Sequence, residues 1–262
     1  KIVYSSKQLP ICSTQLIGYL LKKGLPYVNR AFLFTEPDIL MDSYGIKPML
    51  INTIYTVVLT LIFCIPLGIG SAIYLAEYAR KSSFFVRIIN VANETLSGIP
   101  SIVYGLFGFL AFVISKKWGY SLSAGVITLA IMVLPLIIRT SQEAILGVDN
   151  SFREASYGLG AGKLRTVFKI VLPSAMPGIL SGIILAIGRI VGETAALIYT
   201  AGTVPEVATS LTSSSRTISV HLYCLLNEGL YTEQAYATAV VLIIFVVIIN
   251  ALSNFLAKKI IK

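Results

Sequence analysis

The chain has 262 residues, of which 56% are hydrophobic and 13% are charged, and its mean hydropathy is +0.82. Because soluble domains carry about 25% charged residues, this composition excludes a soluble globular protein. The net charge of +9 would suggest nucleic acid binding in a soluble chain, but Lys and Arg collect on the cytoplasmic side of membrane proteins, so we expect no nucleic acid partner.

Long runs without a charged residue define the predicted spans in chain order. A helix needs about 20 residues to cross the hydrocarbon core of a bilayer. Five runs reach that length, namely Ile51–Ala76, Thr95–Ser115, Trp118–Ile138, Ile170–Gly188 and Gln234–Ala257. Residues 1–21 are only half apolar and contain Pro10, and we predict a sixth span near 8–21, with an interfacial segment as the alternative. The sequence therefore predicts an all-α, polytopic transmembrane helix bundle that forms a single domain over residues 1–262.

The polar segments between these runs indicate the orientation of the chain. We interpret 22–48 and the Ser/Thr-rich segment 201–229 as external loops, and 80–96, which mixes charges with Phe and Ile, as an interfacial helix. If the C-terminus is cytoplasmic, the inner segments hold 13 Lys and Arg and the outer segments hold 7. This excess follows the positive-inside rule and predicts that orientation.

The longest cytoplasmic segment, about 143–173, carries the signals of two short helices. Ser151 and Glu154 form a capping-box pattern that starts the first helix, and Gly160 allows a sharp turn after it. An apolar stripe then predicts a second short helix, which Pro173 ends. The stripe consists of Leu164, Val167, Phe168 and Val171. Such a knob either packs against the bundle or docks into a partner.

Two charged residues interrupt the apolar stretch "AIGRIVGETAAL" at 186–197. At 100° per residue, Gly178, Gly182, Arg189 and Glu193 share one face of a helix, whose small residues let another helix approach closely. Arg189 falls near mid-bilayer, where an arginine costs at least about 2.5–3.5 kcal/mol. We predict that Glu193, one turn later, pairs with it. The pair either fixes helix packing or lines an anion pathway.

Arg139 and Glu143 repeat the i, i+4 arrangement at the cytoplasmic end of another predicted span. Long charged side chains at helix ends commonly reach out to the membrane surface, and that is one interpretation of this pair. The other is that it belongs to the same anion pathway as Arg189.

The chain offers little for catalysis. Cys12, Cys64 and Cys224 are scattered and His221 is the only histidine, so the sequence supports neither a metal centre nor a catalytic triad. The stretch "GLGAGKL" at 158–164 lacks the glycine spacing and the Ser/Thr of a phosphate-binding P-loop. We expect no catalytic residue, no metal and no cofactor.

The segment "EASYGLGAGKLRTVFKIVLP" at 154–173 resembles the EAA loop of ABC-importer permeases. Six positions match that pattern, namely Glu154, Ala155, Gly160, Ile170, Leu172 and Pro173, and Ser156 stands where Ala is usual. In that family the loop is a coupling helix that sits in a groove of a separate ATPase subunit. The resemblance therefore implies ATPase contacts by Glu154, Ala155, Gly160, Leu164 and Phe168.

Within these permeases, "LPLIIRTSQEAI" and "GRIVGETAALIYTAG" resemble the PstA-type phosphate permeases most closely. The resemblance implies the type I importer permease fold, half of a phosphate translocation path, and a prokaryotic plasma membrane location with a cytoplasmic EAA loop and C-terminus. It also implies a homologous PstC-like permease, a dimeric PstB-like ATPase, an external PstS-like phosphate-binding protein and membrane lipid as partners. Arg139 and Arg189 match positions implicated in the phosphate path of that family, and we place Glu143 and Glu193 on the same path.

Two other functions remain as alternatives. An ABC permease for another solute, such as sulfate, molybdate or an amino acid, would share the EAA loop, although a mid-membrane Arg–Glu pair favours an oxyanion over a zwitterion. A stand-alone secondary transporter would show internal repeats and discontinuous helices, and it would have no use for an EAA loop.

Overall fold

The computed structural model describes residues 8–38, 43–80, 84–229 and 231–261. Its helices are α1 (Gln8–Gly24), α2 (Arg30–Phe34), α3 (Lys47–Ile73), α4 (Phe84–Gly98), α5 (Ser101–Gly108), α6 (Leu122–Leu146), α7 (Asn150–Gly158), α8 (Lys163–Thr166), α9 (Leu172–Gly192), α10 (Ala195–Thr200), α11 (Ile218–Glu228) and α12 (Thr232–Ile261). A 3₁₀ turn covers Leu25–Tyr27, and π-helical turns cover Tyr74–Tyr78, Phe109–Ser115 and Val167–Val171. Two-residue strands, β1 (Pro37–Asp38) and β2 (Ser43–Tyr44), pair antiparallel with Pro37 opposite Tyr44. Parts of the predicted connecting segments, 1–7, 39–42, 81–83, 230 and 262, lie outside the described residues.

Four helical segments in the described part of the chain are long and apolar enough to cross a membrane, and a bent pair of helices brings the number to five. The four are Lys47–Tyr78, Leu122–Leu146, Lys163–Gly192 and Thr232–Phe255. The all-α bundle is therefore confirmed with four to five spans. The sixth span stays a prediction: α1 is helical over 17 residues and packs against α12, with the rings of Tyr19 and Tyr236 in edge contact at 6.2 Å.

The predicted span Thr95–Ser115 is not one straight helix. α4 and the segment Ser101–Ser115 meet at an angle of 101°. The bend falls at Gly98–Pro100, where proline removes a backbone donor and restricts the residue before it to extended conformations. The part of the segment 80–96 from Phe84 onward lies in α4, a helix separate from Ser101–Ser115, and its interfacial position stays a prediction.

The prediction that Pro173 ends a short helix is wrong. α8, the π-helical turn after it and α9 form one helical segment, Lys163–Gly192. A proline inside an α-helix leaves the carbonyl four residues earlier without a donor and clashes with it. The π-helical turn Val167–Val171 shifts the hydrogen-bond register directly before Pro173, so the proline falls in the first turn of α9.

The centre of the bundle lies between α3, α6 and α9. Its fully buried side chains include Leu129, Met132 and Ile137 of α6 and Ile190 of α9. α9 approaches α6 closely at its two small residues: a Cβ on Gly178 would lie 2.6 Å from the Cβ of Ala144, and one on Gly182 would overlap Thr140. The close helix approach predicted for these glycines is confirmed.

Candidate functional site

Arg189 lies half-buried in the last turn of α9, directly before a break in the helix. α9 ends at Gly192, Glu193 has an extended backbone with φ −73° and ψ 129°, and α10 begins at Ala195. A helix that is broken in this way presents the carbonyl end of α9 and the amide end of α10 at the same place. The helical face extrapolated from Gly178 to Glu193 therefore ends at Gly192.

The predicted pairing of Arg189 with Glu193 is wrong in this structure. Glu193 is 8% exposed, and its Oε1 accepts a hydrogen bond from the backbone N–H of Ala196 at 3.1 Å. Within the described part of the chain, no ion pair joins the two side chains. The reason is geometric, because the i, i+4 spacing brings side chains together only in a continuous helix, and the backbone leaves the helix at Glu193.

Arg189 is consequently a guanidinium without an anionic partner in the described part of the chain. Among the described residues it makes no ion pair and no hydrogen bond. Its charge acts electrostatically on Tyr104 of α5, which is 4% exposed and whose hydroxyl donates to the carbonyl of Leu96 at 2.8 Å. An arginine cannot lose its charge at any relevant pH. Because Arg189 bonds to none of the described residues, its donors are available to a ligand.

Contacts from two other helices hold the break in place. The Ser219 hydroxyl of α11 donates to the carbonyl of Val191 at 2.5 Å, which satisfies one of the free carbonyls at the end of α9. On the other side α5 packs against α10, where a Cβ on Gly105 would lie 2.9 Å from the Cα of Ala196. The break between α9 and α10 is therefore stabilised by contacts with α11 and α5.

Arg139 and Glu143 form the ion pair that their spacing indicates, with 3.0 Å between Nε and Oε1. Both side chains are more than half exposed. They line a cleft of about 230 Å³ between α4 and α6, whose other walls are Asn90, Asn93, Glu94, Gln142 and Leu146. Because Gly182 of α9 touches Thr140, Arg139 and Arg189 lie roughly 10 Å apart along α9 at about 1.5 Å per residue.

The five residues predicted to contact an ATPase share one feature, which is exposure on α7, α8 and the turns beside them. They are Glu154, Ala155, Gly160, Leu164 and Phe168. Leu164 is 66% and Phe168 is 51% exposed, whereas Val167 and Val171 of the same predicted stripe are buried. The stripe therefore divides into a half that packs on the bundle and a half that faces outward. We call the outward face of α7 and α8, with the turn between them, the coupling surface.

The coupling surface carries further exposed apolar side chains besides the five predicted residues. Phe152 is 53%, Tyr157 is 43% and Leu159 is 89% exposed. Exposed apolar side chains in a cluster mark surfaces that contact a protein or a membrane. Gly160 lies in the turn at φ +81°, a conformation that L side chains rarely adopt, and a Cβ there would meet no other atom within 4 Å.

The start of α7 differs from the predicted capping box. Asp149 precedes the helix, and its Oδ1 accepts from the N–H of Ser151 at 2.8 Å. Asp and Ser are both favoured at the N-cap of a helix, and here Asp149, which comes first in the chain, occupies it. The hydrogen bond from Ser151 lowers the pKa of Asp149, which keeps the cap ionised. Ser156, which replaces the usual Ala, forms a buried hydrogen bond with the hydroxyl of Thr166 at 2.8 Å and so ties α7 to α8.

Two polar clusters were not found from the sequence. Arg153 of α7 forms a buried ion pair with Glu77 at the end of α3, 2.7 Å between Nη2 and Oε1. Asn52 of α3 is fully buried and holds the segment 201–217 through its amide. Glu77 stands directly after a charge-free run and Asn52 within one, and these were the only signals in the sequence.

Replacing Asn52 by leucine should destabilise the end of the bundle that carries the segment 201–217. The Asn52 amide donates to the carbonyls of Glu206 and Arg216 at 2.8 and 3.3 Å and accepts from the N–H of Ala208 at 2.9 Å. Leucine would leave these buried groups unpaired, at a cost of about 2–4 kcal/mol. Thermal unfolding of the purified protein measures the loss. Thr60→Val is the matched control, because the buried Thr60 hydroxyl of the same helix has no partner; equal stability of the two variants would contradict the prediction.

Buried near the same segment, His221 is uncharged at neutral pH. Burial, together with the positive charge of Arg216, lowers the pKa of His221 to about 4. Arg216 Nη1 lies 3.3 Å from its Nδ1, and Arg216 Nε donates to the carbonyl of Thr203 at 2.6 Å. Among the described residues no group of His, Cys, Asp and Glu side chains is arranged to hold a metal ion.

Several known transport permeases are similar to this chain in sequence. The chain is 33% identical to the probable ABC transporter permease protein YqgI of Bacillus subtilis, over 94% of this chain and 89% of that protein. It is 34% identical to the phosphate transport system permease protein PstA 2 of Mycobacterium bovis, over 93% of this chain and 82% of the relative. The phosphate transport system permease protein PstA of Yersinia pestis is 37% identical over 74% of this chain and 66% of its own length.

Solved structures share the fold. A chain of the bacterial alginate ABC transporter, crystallised with an alginate pentasaccharide-bound periplasmic protein, superposes with a TM-score of 0.70 at 16% identity, covering 98% of this chain and 94% of that one. A chain of the MetNI methionine ABC transporter in an inward-facing conformation gives 0.63 at 18% identity, covering 87% and 99%. Residues 64–262 match the family described as the binding-protein-dependent transport system inner membrane component. The chain therefore belongs to this family of inner-membrane ABC-transporter permeases and is a transport subunit, not an enzyme.

Proposed function

We propose that the chain is a permease subunit of an inorganic phosphate importer and forms half of the translocation path. Several relatives that are 33–37% identical over most of the chain carry the name phosphate transport system permease. The observation that carries the proposal is Arg189, a half-buried guanidinium at the broken end of α9 that pairs with no carboxylate of the described residues.

The chemistry of phosphate fits this arginine. A guanidinium binds the oxygens of a tetrahedral oxyanion in pairs. The membrane interior penalises an unpaired charge, and a passing anion reduces that penalty while it is bound. Glu193 contributes by position: its carboxylate holds the start of α10 and leaves Arg189 uncompensated.

Arg139 and Glu143 form the second station of the proposed path. They lie nearer the coupling surface than Arg189, in a polar cleft with two asparagines and a glutamine. Glu143 accepts from Arg139 and, with Glu94 nearby, keeps the anion affinity of this arginine low. Low affinity favours release at the inner end of the path.

The coupling surface binds a separate dimeric ATPase through Glu154, Ala155, Gly160, Leu164 and Phe168. Its exposed apolar side chains and the positive φ of Gly160 support this assignment. The surface and the C-terminus then face the cytoplasm, and α1 completes a bundle of six spans. A homologous permease, an external phosphate-binding protein and membrane lipid are the remaining partners, and nucleic acid is not one.

Reconstitution tests the function. The chain is purified with its genomic neighbours, incorporated into liposomes that contain ATP, and supplied with binding protein and radiolabelled phosphate outside. We expect ATP-dependent accumulation of phosphate that unlabelled sulfate does not compete with. Accumulation of sulfate or of an amino acid in place of phosphate would assign a different solute to the same path, and uptake without an ATPase subunit would refute the importer assignment.

A further inference from the structure

The guanidinium of Arg153 uses all its donors inside the protein. Nε and Nη2 donate to Oε1 of Glu77 at 3.0 and 2.7 Å. Nη1 donates to the carbonyl of Val148 at 2.7 Å and to Oδ1 of Asn150 at 3.3 Å, and Nη2 also donates to the carbonyl of Ile145 at 2.9 Å. Five bonds saturate the five N–H groups that an arginine carries.

These five bonds join three elements at one point. Arg153 belongs to α7, Glu77 to the π-helical turn that continues α3, and Ile145 to the last turn of α6. The Arg153 and Glu77 side chains are 14% and 7% exposed, so water competes little for the bonds. The Ile145 carbonyl belongs to the last turn of α6 and also accepts from the N–H of Val148 at 3.3 Å, and the Val148 carbonyl lies just beyond the end of that helix.

α7 has a second attachment about one helical turn further along. The Ser156–Thr166 hydrogen bond links it to α8 and hence to the helical segment that reaches the Arg189 break. Without Arg153, α7 would keep its covalent connection to α6, and α8 would keep the contact of Lys163 with the Tyr78 ring. The direct bonds from α7 to Glu77 and to the Ile145 carbonyl would be lost. With Arg153 in place, α3 and α6 receive the same displacement, because a planar guanidinium held by five bonds allows little relative movement.

We propose that Arg153 is a positioning residue that makes α3, α6 and α9 move together when the coupling surface moves. The inference rests on the proposed function only in requiring an ATPase at the coupling surface. It assigns Arg153 no contact with the solute and none with ATP. The link is mechanical, so its loss should separate ATP hydrolysis from events at the external end.

Arg153→Lys is the test, since lysine keeps the charge and can reach Glu77 but cannot serve the Ile145 and Val148 carbonyls at once. The complex with its ATPase is reconstituted, and ATP hydrolysis is measured with and without the solute-loaded external binding protein. We expect normal assembly, a basal rate close to that of the unmodified complex, and a stimulation by the binding protein that is about tenfold lower. Lys47→Met, which breaks an exposed ion pair with Glu36 at the other end of α3, should leave the stimulation unchanged.

Two results would overturn the inference. One is full stimulation in Arg153→Lys. The other is a parallel loss of assembled complex, basal rate and stimulation in both Arg153→Lys and the milder Glu77→Gln, since a residue that only stabilises the fold behaves in that way. Stimulation does not depend on which solute is carried. An unmodified complex that responds to its binding protein but moves no phosphate would therefore refute the phosphate assignment and leave this test intact.

Discussion

Replacing Arg189 by glutamine should reduce ATP-dependent phosphate uptake by about 100-fold or more while the complex still assembles. A bidentate, charge-assisted pair of hydrogen bonds is worth roughly 3 kcal/mol, and each 1.4 kcal/mol is a factor of ten. Because Arg189 has no ion pair among the described residues, its removal strands no buried carboxylate. Radiolabelled uptake into proteoliposomes, alongside gel-filtration analysis of the complex, gives the two readouts.

The control is the same substitution at an exposed arginine. Arg87→Gln on α4 removes a positive charge from the surface and should transport at the unmodified rate. Transport at that rate by Arg189→Gln would show that the arginine serves helix packing alone. A loss of assembled complex specific to Arg189→Gln would likewise speak for a structural role.

Replacing Gly160 by valine should abolish transport or binding of the ATPase while membrane insertion stays intact. Gly160 has φ +81°, and a β-branched residue in that region costs about 1–3 kcal/mol in backbone strain. No atom lies within 4 Å of the added Cβ, so the cost is local to the turn. The turn would relax by changing its course, which moves α8 relative to α7. Co-purification of the ATPase and phosphate uptake measure the effect.

Gly162→Val separates the backbone conformation from the added bulk. Gly162 lies in the same turn, has open space around it and an ordinary φ of −72°. We expect Gly162→Val to bind the ATPase normally and Gly160→Asn to be intermediate, because asparagine tolerates positive φ better than other L residues. If Gly162→Val and Gly160→Val lose ATPase binding to the same degree, added bulk at the coupling surface is the cause and the conformation of the turn is irrelevant.

Charge-free runs located the spans because the bilayer imposes a length on every helix that crosses it. The break at Glu193 was not predictable in this way. Residues 186–197 contain no proline, and the break is held from outside the segment, by Ser219 of α11 and by the close approach of α5. The periodicity of one segment cannot reveal a break in the helix that contacts from other helices maintain.

The coupling surface was predictable as a set of residues but not as a structure. The EAA-loop pattern picks out Glu154, Gly160 and Phe168, and the structure leaves all three exposed, while their contact with an ATPase stays a prediction. Local sequence rules misplaced the N-cap of α7, because Asp149 and Ser151 are both good capping residues. The same rules predicted that the second helix ends at Pro173, whereas it continues into α9. Arg153 and Glu77 are 76 positions apart, and only the packing of α3 against α6 and α7 brings them together.

The continuity of the segment Lys163–Gly192 has a mechanical consequence for the whole subunit. At about 1.5 Å per residue, these 30 residues form a lever arm of roughly 45 Å that begins at the coupling surface and ends beside Arg189. Rotating such an arm by about 5° carries its far end through about 4 Å, more than the ~3 Å length of a hydrogen bond. In the importer that we propose, a small rocking movement at the coupling surface would therefore be enough to bring the guanidinium to an anion or to pull it away, with no change of side-chain rotamer.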